Sequence, residues 1–434
     1  MAFQQGLSGL NTSSKALDVT SNNIANASTV GFKSAATHFA DIYAASLAGG
    51  GASQVGIGAT NSAIAQQYTQ GNITTTSNSL DIAINGSGFF RMSKDGAVQY
   101  SRNGQFHLNS LGYIVNDANE NLTGYPANAL GNIVPTTPAN LRVSTDKIDP
   151  QVTGATSAGI AAALNLDSTK KVPAAVWTSP TGTNAPSTDT YNYSTAMTTY
   201  DTLGNAHTLT MYFVRGVPGA GDPATATGAW DVHFQVDGTS EANVPSSPMR
   251  LAFDSSGKLM TTMPVAGFQI DLNAVATDLG STNNAAQFIT TNFDFTNTTQ
   301  FGSAFSVNTL TQDGYTSGNL AGMSISKDGI IKGNYSNGQT RSMGQVVLAN
   351  FTNPNGLVSV GNNDWVETAD SGQPLVGMPN TGTLGTLQSG AVEDSNVDLT
   401  AELVNMIVQQ RNYQANAQSI KTQDQIMQTL VNLR

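Results

Sequence analysis

No cysteine occurs anywhere in the chain, which removes disulfides, thiol nucleophiles and cysteine-based zinc sites together. Charge is scarce as well: 11% of the residues are charged, against about a quarter in ordinary soluble domains. Apolar residues do not fill the gap, since the hydrophobic share is 39%; Asn, Thr, Ser, Gln and Gly do. The surface is therefore expected to be polar but uncharged, which suits extracellular β-structure and self-assembly. Basic residues are the rarer sign, with Lys+Arg at 18, Asp+Glu at 29 and a formal net charge of −11. Phosphate binding needs a basic footprint, so nucleic acid is excluded as a partner. The only adjacent basic pair, Lys170–Lys171, reads as solvated surface. No window approaches the roughly 18 apolar residues of a membrane span, so no membrane insertion is expected. The first basic residue is Lys15 and no apolar stretch follows it. Export, if it occurs, is expected without a cleaved signal.

Motifs that carry chemistry are also missing. There is no G-x-S-x-G and no H-E-x-x-H, and His38, His107, His207 and His233 are scattered without a second histidine at ligand spacing. His107 is expected as a partly exposed strand residue. Gly257-Lys258 lacks the upstream glycine of a phosphate loop, and Gly56-Ile57-Gly58 reaches Asn61 where a dinucleotide fingerprint needs glycine. Asp117, Asn119 and Asn121 imitate the start of a calcium loop. Leu122 and Asn128 then stand where that loop needs Gly and a bidentate Glu, so these residues read as turn chemistry. No catalytic, cofactor-binding or metal site is expected. A carboxylate pair for glycoside hydrolysis is defined by its separation in space and is not visible in a sequence.

What is present is a long β-rich centre between two helical ends. At about 150 residues per domain the length of 434 residues suggests roughly three domains. Phe3, Leu10, Leu17 and Ile24 recur every seven residues in a stretch without proline to about Ala27, and Leu7 fills an intervening position. At the other end Leu399, Met406, Tyr413, Ile420 and Met427 keep the same spacing, with Leu403, Ala417 and Val431 on the adjoining stripe. This is the pattern of a packed helix seam. Ser395 and Asp398 resemble a capping box ahead of the second helix, which is expected from about Asp398 to Leu433. The stripes fit two helices packing on each other within one chain, and they fit helices that also pack on neighbouring copies.

In the centre, three-residue loops at Lys94-Asp95-Gly96 and Arg102-Asn103-Gly104 and a four-residue loop at Asn109–Gly112 predict a four-stranded meander with one apolar face. It pairs Met92 with Val98, Phe90 with Tyr100, Tyr100 with Phe106 and Leu108 with Tyr113. Lys327-Asp328-Gly329 repeats the signature and pairs Ile325 with Ile331. The recurrence suggests one β-domain built from two stretches, with a second β-domain inserted that contains strand runs at Leu209–Val214, Trp230–Val236 and Met249–Phe253. Gly49-Gly50-Gly51 and Asn380–Gly390 read as linkers.

Residues 16–26, ALDVTSNNIAN, leading to Val30-Gly31-Phe32-Lys33, resemble the N-terminal signature of bacterial flagellar axial proteins, rod and hook alike. Gln70–Ile73, Leu80–Phe90 and the closing run Asn396–Leu433 with Gln410–Asn416 are similar to the same family. Asp313–Leu320 with Lys327–Gly338, and Tyr200–His207 with Trp230 and Met249–Lys258, look like the hook branch and its inserted outer domain. The resemblance implies a mainly β fold with long α-helices at both termini and nested discontinuous domains. Residues 1–65 and 386–434 would form the terminal helices and linkers, 66–145 and 299–385 a two-part β-domain, and 146–298 the inserted outer β-domain. It implies a non-enzymatic structural subunit of the extracellular flagellar hook, a homopolymeric universal joint between rod and filament. Implied partners are identical subunits, the distal rod protein, the hook–filament junction proteins, a hook cap and the flagellar type III export apparatus. A distal rod subunit is the nearest alternative, disfavoured by the insert. A secreted β-rich adhesin or enzyme is the other, and it leaves the seven-residue stripes at both ends unexplained.

Phe3, Leu7, Leu10, Leu17, Ile24, Leu399, Leu403, Met406, Tyr413, Ile420 and Met427 are the expected subunit-packing residues. Asn22, Asn23 and Asn26 either cap the first helix locally or bond between subunits, and local capping is favoured. Leu10→Asp or Ile420→Asp is expected to abolish polymerisation while the central β-structure stays folded, since a charge buried in an inter-helix seam without a partner is costly. Electron microscopy beside circular dichroism checks this, and normal polymers from either variant would contradict the seam.

Overall fold

The computed structural model describes residues 2–42, 56–128 and 131–432. The glycine run at 49–51 lies outside the described residues. The chain forms two compact units, Met1–Thr145 with Ala321–Asn334 and Thr340–Arg434, and Asp146–Leu320 with Tyr335–Gln339. It is mostly β-structure with one long helix at each end, Ala2–Ala25 and Leu399–Asn432.

In the first unit a broad sheet draws its strands from both stretches of chain, as the repeated turn signature suggested. Leu348–Asn350 pairs with Phe89–Lys94, Asp364–Val366 with Ala97–Ser101, and Thr340–Val346 with Asn121–Pro126. Ser326 N donates to Ile330 O at 3.0 Å, which leaves Lys327–Gly329 as the expected three-residue loop. The meander register is corrected. Phe90 faces Ser101, Arg91 faces Tyr100 and Met92 faces Gln99, around a two-residue turn at Asp95-Gly96. Both turn residues take positive φ, 49° and 89°, as a turn matched to strand twist requires. The expected register rested on a single buried face. Phe90 and Met92 are buried on one face, while Tyr100 and Val98 pack on the other with Phe89, Phe351 and Trp365. Beyond Ser101 the chain leaves the meander, and His107–Leu108 pairs with Ile114–Val115, matching Leu108 to Ile114 rather than Tyr113.

Two further expectations change. Within Asn380–Gly390, read as a linker, Thr386–Ser389 is a strand on Ile82–Asn85, held by the buried Leu387. The second unit runs on to Leu320 rather than ending at 298, because Ser306–Gln312 pairs along Ile160–Asn165.

That second unit holds two four-stranded sheets, one of Ile160–Asn165, Val265–Asp271, Phe288–Asp294 and Ser306–Gln312, the other of Tyr193–Tyr200, Ala206–Gly216, Gly228–Val236 and Met249–Phe253. Period-two alternation builds them: Leu209, Met211 and Phe213 point inward while Thr210 and Tyr212 do not. One apolar core draws on both sheets, and at its centre the Phe234, Phe268 and Phe293 rings meet edge-on at 4.8–5.3 Å. Phe293→Ala is expected to lower the stability of this unit by about 3–5 kcal/mol. Denaturant titration followed by tryptophan fluorescence measures it, and a shift below about 1 kcal/mol would remove Phe293 from the core's centre.

Candidate assembly surface

The first helix buries a narrow face of small and polar residues. Gly6, Ser13, Ala16, Thr20 and Asn23 are covered at alternating spacings of three and four, with Gly9 in the same series. Such residues let a second helix approach closely. A methyl group on Gly6 would stand 3.0 Å from Ile420 Cγ1, and one on Gly9 would stand 2.8 Å from the Asn416 side-chain nitrogen. The C-terminal helix therefore lies along this face. Asn23 closes the helix end on the following strand: its Nδ2 donates to Ala35 O at 2.8 Å and its Oδ1 accepts from Ala35 N at 3.0 Å. Asn26 bonds back to Asn22, so local bonding holds for that pair while Asn23 bridges to the strand.

The predicted packing residues fall into two sets. Ile420 is half-buried against Gly6, and Met406 is half-buried on the same stripe. Leu10, Leu17 and Ile24 follow Gly9, Ala16 and Asn23 by one position, about 100° round the helix, and stand half-buried at the shoulder of the covered face. Phe3, Leu7, Leu399, Leu403, Tyr413 and Met427 are exposed. Val404, Ile407, Val408 and Ile426 are exposed too and escaped the seven-residue reading. A spacing of four from Leu403 finds Ile407, and the same spacing joins Val404 to Val408. The helix starts at Asp398, whose Oδ1 accepts from Thr400 N at 2.9 Å and Ala401 N at 3.1 Å; Ser395 is not the cap.

Beneath the helices lies an ion-paired hub that no local motif announces. Lys33, just after the first helix, and Glu393, just before the last, have fully buried side chains. Glu393 Oε1 accepts from Lys33 Nζ at 2.6 Å and from Gly71 N at 2.8 Å, while Oε2 accepts from Arg102 Nη1 at 3.0 Å. Lys33 Nζ also donates to Thr69 O at 2.8 Å, and Arg102 Nη2 to Gly86 O at 2.9 Å. Burial pushes the Lys33 ammonium below its ordinary range, the Glu393 carboxylate opposes that shift, and the Arg102 charge adds to it. Arg102 is likewise lowered by burial and raised by Glu393. Asn396 completes the hub, accepting from Ser34 N at 2.8 Å and donating to Gln67 O at 2.7 Å. Ala391–Glu393 holds it in register by pairing with Ile73–Thr75.

Among the described residues, no group of three or more His, Asp or Glu side chains is placed to hold a metal ion, and no helix is long and apolar enough to cross a membrane. The arrangement is one of packing surfaces. Glu393→Gln leaves two buried cations without their anion, and a loss of about 3–5 kcal/mol is expected. Denaturant midpoints read through Trp365 measure it, and an unchanged midpoint would mean that the hub is not carrying the termini.

Sequence comparison agrees with this architecture. The flagella basal body rod protein family matches residues 3–33, the flagellar hook protein FlgE/F/G D1 domain 83–150, the flagellar basal body protein FlaE D2 domain 165–315, and the flagellar basal body rod FlgEFG protein C-terminal region 388–433. The flagellar hook protein FlgE of Escherichia coli K12 is 40% identical over 439 residues, covering 100% of each chain. That of Borreliella burgdorferi is 31% identical over 456 residues, covering 100% of this chain and 99% of its own. Among solved structures, the flagellar hook protein FlgE2 of Helicobacter pylori superposes with a TM-score of 0.51 at 13% identity, covering 74% of this chain and 100% of that one, a likeness of fold. The chain belongs to the flagellar hook protein FlgE family.

Proposed function

We propose that this chain polymerises with copies of itself through its terminal helices into the hook tube, a universal joint that carries motor torque from the rod to the filament. One observation carries the reading. Leu403, Val404, Ile407 and Val408 stand 46%, 56%, 50% and 46% exposed on adjacent turns of a helix about 51 Å long, while the opposite side of that helix lies on the first one. A contiguous exposed apolar stripe of this kind marks an interaction surface. Phe3 and Leu7 are large exposed apolar residues on the N-terminal helix as well. Copies stacked along such stripes give the seam that resists torsion, because close-packed apolar surfaces resist shear.

Bending asks the outer unit to slide over its neighbours, and neutral polar contacts exchange with water at little cost where ion pairs would lock one register. The unit Asp146–Leu320 favours a hook subunit over a simpler rod subunit. The family resemblance suggests nested domains for this role, with the terminal helices as the tube core. The family further suggests the distal rod protein, the junction proteins and the hook cap as partners, and type III export to an extracellular site. It also suggests that the chain has no catalytic activity. Ile407→Asp places a charge on a surface open to water in the free chain, so folding is expected to be retained and polymerisation lost. Negative-stain microscopy beside circular dichroism reads both, and intact tubes from the variant would remove this stripe from the subunit interface.

A further inference from the structure

Two carboxyl groups are buried together near the edge of the broad sheet. Asp364 begins the strand Asp364–Val366 and stands between Ser101 on one neighbouring strand and Gly361 on the other. It is 2% exposed, and its Oδ1 is buried without a hydrogen-bond partner. Glu120 is 1% exposed and its carboxyl is in hydrogen-bonding contact with that of Asp364. Glu120 cannot turn away. Its Oε2 accepts from Asn116 Nδ2 at 3.0 Å, its backbone N donates to Asn116 Oδ1 at 2.9 Å, and its Oε1 lies 3.4 Å from Lys94 Nζ. Lys94 is nearly half exposed, so water screens much of its charge. Ser101 supplies the neighbouring hydroxyl. The turn's other acid, Asp117, is exposed and lies 3.8 Å from His107.

Two ionised carboxylates here would be buried acceptors facing each other with no donor between them. A proton supplies the donor. We propose that Asp364 keeps its proton in the folded chain and donates it to the Glu120 carboxylate, and that losing it loosens the strand pair Val358–Gly361 and Asp364–Val366 at the edge of the sheet. Val358–Gly361 is the last strand on that side, all four of its residues are exposed, and among the described residues its strand partner is Asp364–Val366. A polar cavity of about 530 Å³ opens along the turns that precede the two acids, lined by Asn116, Asp117 and Ala118 before Glu120 and by Asn362 and Asn363 before Asp364. Burial foremost, with the Glu120 charge, pushes Asp364 up to about 7.

The sign follows from that raised value. An acid that keeps its proton longer when folded binds more protons than the opened segment between about pH 4 and pH 7, so local stability falls as pH rises through that window and is level above it. Hydrogen exchange of the full chain, corrected for intrinsic rates, reads this directly. Protection of amides 358–366 is expected to fall about 100-fold from pH 5 to pH 7 and then to level off. Asp364→Asn and Glu120→Gln, each of which supplies a permanent donor, are expected to flatten the profile. A flat wild-type profile overturns the proposal, and so does a slope that survives either substitution. Calcium at millimolar concentration is the remaining arm: restored protection at pH 7.5 would make the pair a cation site and overturn the proposal, whereas no effect supports the proton on Asp364.

Discussion

The segments that flank the terminal helices meet at one buried carboxylate. Glu393 and Lys33 are separated by 360 residues and meet at 2.6 Å with no water between them. Loop closure over that distance is costly in entropy, and desolvating three ionic groups is costly in free energy. The return is geometric. Glu393 binds Gly31 N through its backbone carbonyl at 2.8 Å and Gly71 N through its side chain, so the segments leaving the first helix, entering the sheet and leading into the last helix are fixed at one point. Two cations share one anion there, and the carbonyls of Thr69 and Gly86 take the remaining donors. A hub built this way tolerates no neutral partner, because each removal strands a charge.

With its ends pinned, the helix pair can leave most of its apolar surface uncovered. Gly6, Gly9 and Ala16 give little area to bury, so the two helices touch closely while gaining little. The large side chains, Phe3, Leu7, Leu403, Ile407 and Val408, face outward instead. In a chain meant to stay monomeric this would be an aggregation hazard. In the stacked subunit proposed above it would divide the labour: small residues fix the pair within the chain, and large ones would remain for the neighbour.

The same division explains what the sequence made legible. Seven-residue spacing finds Leu10, Leu17, Met406 and Ile420 because they are large and apolar. It passes over Gly6, Ser13 and Thr20, since a small residue carries no hydropathy signal, and those positions are buried. Strand runs such as Trp230–Val236 were readable because alternation or continuous burial reports on its own strand. The register around Asp95 was not, because both faces of that sheet are covered and an apolar residue no longer says which face it points to. The partners of Lys33 and Arg102 were invisible for a simpler reason: nothing local in a chain connects position 33 or 102 to position 393. The boundary at Leu320 was missed likewise, since Ser306–Gln312 pairs with a strand some 150 residues earlier.

Charge placement joins these points. With so few charged residues, putting several of them inside changes the surface. Lys33, Arg102, Glu120, Glu393 and Asp364 are buried in the first unit, and Asp201 and Glu241 in the second, where Glu241 accepts from the Trp177 indole at 2.9 Å and lies 2.6 Å from the His233 ring. The interior ions fix strand ends and turns where one geometry must hold. The exterior is left to Asn, Thr, Ser and Gln, whose hydrogen bonds trade with water nearly evenly. A protein with the opposite arrangement, ions outside and amides within, would form strong and salt-sensitive contacts with each neighbour and would settle into one of them. A surface short of ions has no such preferred register. For a polymer whose outer contacts shift as proposed above, scarce surface charge would be a working property of the sequence rather than an accident of composition.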